Sequence, residues 1–166
     1  LSKKLAQKGA HVVCAARRAE KLDRVITGIK SQGGTAISVP TDITNLQQCQ
    51  SLVEKTIERF GKLDVLVLNA GISMWTPFEE LNDVSFFRKL METNYMGAVH
   101  CCHAAIPHLR SRSGLIVSCS TAQALMGFPN HSGYAATKHA LHGFLESLDF
   151  EMRGEINFLE VIMGWI

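Results

Sequence analysis

"LDVLVLNAG", residues 63–71, is an apolar run of strand length that passes directly into a turn closed by Gly71. Polar and apolar residues do not alternate along the run, so both faces of the strand need cover. The neighbouring segments supply it. "NLQQCQSLVEKTIERFG" before the run is a long amphipathic helix, and "NDVSFFRKLMETNYMGAVHCCHAAIPHLR" after it reads as one long helix, or as two joined near Gly97. The same alternation continues outward. "AHVVCAA", "TAISVP", "GLIVSCS" and "INFLEVIM" are further short apolar strands. "AEKLDRVITGIKSQGG" places Leu22, Val25, Ile26 and Ile29 on one helix face, and another helix runs from about Ser132 to Met152. Apolar strands separated by helices predict an α/β fold: a doubly wound parallel sheet in a three-layer αβα domain over residues 1–166. In such sheets ligands bind beyond the carboxyl ends of the strands. The chain opens on the helix "LSKKLAQKG", where this fold first places a strand and a Gly-rich phosphate turn, and it stops just after a strand. It therefore reads as truncated at both ends.

Composition removes several function classes. A chain of 166 residues that is 46% hydrophobic fits one globular domain. Seventeen Lys and Arg against fifteen Asp and Glu give a net charge of +2, with no basic run of the kind that holds nucleic acid. The cysteines Cys14, Cys49, Cys101, Cys102 and Cys119 are odd in number and lack C-x-x-C spacing. They predict reduced thiols in a cytoplasmic setting, with neither a disulfide framework nor a metal site. The histidines, His100, His103 and His108 among them, form no ligand pattern. No apolar run approaches the ~20 residues of a membrane span, so any anchor would have to precede Leu1.

The chemistry sits in "SGYAATKHALHGF", residues 132–144, where Tyr134 and Lys138 lie one turn apart on one helix face. A free phenol, with a pKa near ~10, is a poor base at neutral pH. An ammonium held beside it favours the phenolate and lowers that pKa. Such a tyrosine can protonate a carbonyl oxygen or deprotonate an alcohol.

Six pieces occur in order at the strand–helix junctions: "AARRAEKL", "TDIT", "LNAG", "NYMG", "GLIVSCSTA" and "YAATK". With them the chain resembles the Rossmann-like short-chain dehydrogenases/reductases over essentially all 166 residues, and most of all their 11β-hydroxysteroid dehydrogenase-like members. The resemblance implies an oxidoreductase that moves a hydride between a nicotinamide cofactor and a carbonyl or secondary alcohol. Tyr134 would be its acid/base, and Lys138 would tune Tyr134 and hold the nicotinamide ribose. Asn94 would hold a helix break and a water that relays protons from Lys138. The family usually has a substrate-oxygen serine thirteen positions before the tyrosine. Thr121 stands there and Ser120 just before it, and either hydroxyl can donate to a developing oxyanion.

The resemblance also assigns the cofactor residues. Asn69, Ala70 and Gly71 would meet the cofactor ribose, and Asp42 and Ile43 the adenine, with helix N-capping an equally economical use of Asp42 or Thr44. Ile166 would meet the nicotinamide carboxamide, although Met163-Gly164 replaces the usual Pro-Gly before it. An acidic residue for an NAD ribose is missing after the strand "AHVVCAA", where Arg17 and Arg18 stand instead. Two guanidiniums suit a 2′-phosphate, which predicts NADP(H) rather than NAD(H). Trp75, Met126 and Phe128 fall in loops at the carboxyl end of the sheet, where they would line an apolar pocket for a ketone, a steroid or a keto-lipid. Kinship also implies a homodimer or homotetramer. The rival reading is a catalytically silent cofactor-binding sensor or scaffold on the same fold. In this family the first strand is central and the glycine turn binds pyrophosphate. Residues 1–166 on their own are therefore expected to aggregate or to fail to bind NADPH, and tight NADPH binding in a calorimetric titration of that piece would contradict this.

Overall fold

The computed structural model describes residues 1–164. Its elements are α1 (Ser2–Gln7), β1 (Val12–Ala16), α2 (Ala19–Lys30), β2 (Ala36–Pro40), α3 (Leu46–Phe60) and β3 (Val65–Leu68). They continue as α4 (Ser85–Met91), α5 (Gly97–Arg110), β4 (Leu115–Thr121), α6 (Ser132–Glu151) and β5 (Asn157–Met163). Every strand pairing is parallel, as the helix between each pair of strands requires. β1 pairs with β2 from Val12↔Ala36 to Ala16↔Pro40. β4 lies between β3 and β5, from Val65↔Leu115 on one side to Thr121↔Met163 on the other.

The expected α/β class is therefore present, but its strands form two sheets rather than one. Among the described residues no strand bridges β1 and β3. Each sheet has its own core. Ala6, Leu22, Ile26 and Ile29 from α1 and α2 close over Cys14 and Ala36. The larger core joins Cys49 and Val53 of α3, Cys102, Ala105 and Leu109 of α5, Ile116 of β4, and Leu141 and Leu145 of α6. The five cysteines are free, as expected, and burial pushes the Cys102 thiol up to about 12.

Two local features shape the functional end. The helix break expected near Gly97 is a π-helical turn over Glu92–Met96, lying between α4 and α5. Such turns splay the backbone and often mark functional positions. In β4, Ile116, Ser118 and Ser120 point inward, while Val117, Cys119 and Thr121 are half-buried on the other face. Thr121 then caps a single 3₁₀ turn, Ala122–Ala124. The Thr76 N–H donates to the Asn130 carbonyl at 2.9 Å, tying the loop after β3 to the approach into α6.

At Gly133, beside Tyr134, α6 packs tightly against α4 and the loop after β3. A Cβ there would lie 2.8 Å from Leu90 Cδ1 and from Met74 Sδ, and 3.1 Å from Phe87 Cδ1. Gly133→Ala is expected to destabilise the fold by about 1–3 kcal/mol through overpacking. Denaturant unfolding checks this, and an unchanged midpoint would contradict the close approach.

Candidate active site

A cavity of about 270 Å³ opens at the carboxyl ends of β3, β4 and β5, lined by Asn69, Gly71, Ser120, Thr121, Tyr134 and Lys138 among others. Four segments separate in sequence thus meet where a parallel α/β sheet places its ligand. Tyr134 is half-buried in the first turn of α6. Lys138, one turn later, is only 7% exposed, and its Nζ donates to the Cys119 carbonyl at 3.3 Å. The ammonium sits 5.7 Å from the centroid of the Tyr134 ring, so the two groups share one space as expected.

The electrostatics differ from expectation. Burial pushes the Tyr134 phenol above its ordinary range and pulls the Lys138 ammonium below its own, with Cys119 and Glu160 opposing the shift on Lys138. Loss of water around the phenol, rather than the neighbouring ammonium, dominates its acidity in this fold.

The two hydroxyl candidates are sorted by their partners. Ser120 Oγ is buried and, like Ser118 Oγ, has no hydrogen-bond partner among the described residues. Thr121 is half-buried at the strand end, and its Oγ1 accepts from the Gln123 N–H at a long 3.5 Å. Accepting that bond leaves the Thr121 hydroxyl proton available to a ligand.

Asn94 is 2% exposed and lies within the π-helical turn. Its Oδ1 accepts from Ile72 N–H and its Nδ2 donates to Ile72 C=O, both at 2.8 Å. Nδ2 also donates to Thr137 Oγ1 at 3.0 Å, and that hydroxyl donates to the Tyr134 carbonyl at 2.7 Å. Both amide protons are thereby committed to protein partners, and Asn94 is a clamp between the loop after β3 and α6.

Among the cofactor candidates, Asn69, Ala70 and Gly71 are exposed at the end of β3. Arg17 and Arg18 are exposed after β1 and form no ion pair among the described residues, with Glu20 and Asp23 or otherwise. Asp42 Oδ1 accepts from Thr44 N–H at 3.0 Å and Thr44 Oγ1 at 2.8 Å. These two bonds, and more weakly the charge of Arg17, hold its carboxyl below the usual carboxylate range. The N-cap of α3 is neither Asp42 nor Thr44 but Asn45, whose side chain accepts from the Gln48 N–H at 3.0 Å. Ile43 packs into the larger core against α5, so close that a Cβ on Gly97 would lie 2.5 Å from its Cδ1. Much of the side chain expected at the adenine is thus spent on the core. Ile166 lies outside the described residues. Trp75, Met126 and Phe128 are not on the cavity wall. Trp75 meets His131 edge-on at 4.7 Å and is 65% exposed, and Met126 is 56% exposed.

With this geometry in hand, the sequence model of the short chain dehydrogenase family matches residues 1–166. The chain belongs to that family. It is 36% identical over 160 residues to 11-beta-hydroxysteroid dehydrogenase-like 3 of Arabidopsis thaliana, covering 96% of this chain and 52% of that relative. It is 35% identical to 11-beta-hydroxysteroid dehydrogenase A of Sesamum indicum, covering 100% of this chain and 48% of that one. The chain thus spans about half the length of these relatives. Solved structures agree on the parallel α/β Rossmann fold. The alcohol dehydrogenase of Thermococcus sibiricus complexed with 5-hydroxy-NADP superposes with a TM-score of 0.92 at 25% identity, over 99% of this chain and 69% of that one. A family member from Burkholderia phymatum in complex with NAD gives 0.93 at 26%, over 99% and 60%. The family's solved structures therefore hold either nicotinamide cofactor. Among the described residues no helix is long and apolar enough to cross a membrane.

Thr137 was not singled out by sequence, yet it is fully buried and links Asn94 to Tyr134. The available signal was a β-branched hydroxyl inside a helix, three residues after the tyrosine and so on the same face. Thr137→Val keeps the shape and removes the hydroxyl, leaving an Asn94 amide proton buried and unpaired. It is expected to cost about 1–3 kcal/mol of stability, with Thr137→Ser near wild type. Thermal unfolding of the two variants checks this, and equal midpoints would contradict the clamp.

Proposed function

We propose that this chain carries the catalytic site of an NADP(H)-dependent oxidoreductase acting on an apolar ketone or the corresponding secondary alcohol. The observation that carries the reading is the meeting of Tyr134, Lys138 and the Thr121 hydroxyl on one cavity at the carboxyl ends of the strands. The residues present suit a nicotinamide dinucleotide. The exposed turn Asn69–Gly71 lets backbone approach a ribose, and unpaired Arg17 and Arg18 stand where an anionic 2′-phosphate would need them. When bound, the cofactor supplies the hydride for the carbonyl carbon.

The chain's own residues handle the proton and the oxygen. Thr121 Oγ1 donates to the substrate oxygen, and Tyr134 Oη delivers the proton as negative charge builds there. A phenol kept protonated by burial suits this reductive direction. Lys138 holds ribose hydroxyls and stabilises the phenolate left after transfer. Asn94 keeps the β3 loop and α6 in register, with the second Oδ1 lone pair left to order a relay water. The relatives' hydroxysteroid names favour an apolar substrate. In the whole protein, α5 and α6 would pair with a second copy to give a dimer or tetramer.

Tyr134→Phe in the full-length protein tests the reading. Ketone reduction with NADPH should fall by about 10²–10⁴-fold while NADPH affinity stays within about twofold. Retained turnover would overturn the assignment, and a wild-type protein that binds NADPH without turnover would point to a silent sensor. A lower KM for NADH than for NADPH would overturn the roles of Arg17 and Arg18.

A further inference from the structure

Glu160 is an anomaly in its strand. β5 is apolar from Phe158 to Met163 except for this one carboxylate. Its side chain is only 20% exposed, in a place where an unpaired charge is costly. The side chain is held from α6, where His142 Nδ1 meets Glu160 Oε2 at 2.5 Å. A carboxylate can only accept, so Nδ1 carries the proton of that bond.

The position of the pair gives it a purpose. His142 lies one helical turn beyond Lys138, on the same face of α6. Glu160 stands opposite Ser118 in the β4–β5 ladder, one residue from Cys119, whose carbonyl accepts from Lys138 Nζ. Lys138 makes no ion pair within 4.0 Å among the described residues, although the residue is only 7% exposed. Its surroundings on each packed element are few: Tyr134 and His142 on α6, Cys119 on β4 and Glu160 on β5. Glu146 and Asp149 lie farther along α6, on the hollow of about 180 Å³ that His142 and Glu160 also line. In a low-dielectric interior a carboxylate that cannot touch the ammonium still acts on it through space.

We propose that Glu160, fixed by His142, is the counter-charge that keeps the buried Lys138 ammonium protonated. It is a positioning residue, acting on the Tyr134 site only through Lys138. The charges seen by Lys138 support this, because Cys119 and, after it, Glu160 oppose the effect of burial on that lysine. The functional consequence rests on the oxidoreductase reading of Tyr134 and Lys138, whereas the electrostatic claim does not.

Competitive labelling with trace acetic anhydride reads the proton on Lys138 directly, since only the neutral amine reacts. Full-length wild type and Glu160→Gln are labelled from about pH 7 to about pH 11, and Lys138 acetylation is followed by peptide mass spectrometry. Glu160→Gln should move the Lys138 midpoint to lower pH by about one unit, a tenfold change in proton affinity. Glu160→Asp, which keeps the charge, should stay close to wild type. Should Glu160→Gln fail to fold, His142→Leu releases the carboxylate from its anchor and should give a smaller shift in the same direction. An unchanged Lys138 midpoint in a folded variant overturns the proposal. Because labelling records a proton and not turnover, that outcome leaves the Tyr134→Phe result to decide the enzymatic reading separately.

Discussion

A lysine ammonium almost withdrawn from water, one helical turn from a half-buried phenol, is the constraint on which this site depends. Burying a cation is costly, and the surrounding structure offsets that cost with specific groups. The end of β4 offers the Cys119 carbonyl, and on the proposal above β5 contributes the Glu160 carboxylate acting through space. The same dehydration that disfavours the ammonium holds the phenol in its protonated form. On the proposed reading, one environment thus prepares both the proton donor and the charge that would stabilise its conjugate base.

Placing these groups requires the loop after β3, the end of β4 and the first turns of α6 to keep fixed distances. Hydrogen bonding through Asn94 does much of this, because one amide grips both backbone groups of Ile72 and reaches α6 through Thr137. The π-helical turn that interrupts the α4–α5 helix is what carries Asn94. Gly133 lets α6 pack onto α4 beside Tyr134, where a larger residue would meet three side chains. Packing and hydrogen bonding therefore serve the same positions.

Legibility from sequence followed the range of the interactions. Strand and helix order was readable because hydrophobic period is a local property, and Tyr134 with Lys138 was readable because i, i+4 residues share a helix face. The kink near Gly97 was visible, but its centre over Glu92–Met96 was not, since a π-helical turn leaves no residue-type signature. Long-range partners were hidden. Nothing local says that Ile43 packs on Gly97, that Glu160 meets His142, or that Asn45 rather than Asp42 caps α3. Tyr134 acidity was misjudged for a related reason: charge spacing can be read along a helix, whereas burial depends on the whole fold. The division of the strands into two sheets likewise depends on pairing between distant segments.

A structure of the full-length protein with NADP and a ketone or alcohol ligand tests the central claim most directly. The expected result has Tyr134 Oη and Thr121 Oγ1 both within hydrogen-bond reach of the ligand oxygen, with Lys138 Nζ on the nicotinamide ribose. A phenol turned away from the ligand, or a lysine with no contact to that ribose, would contradict it.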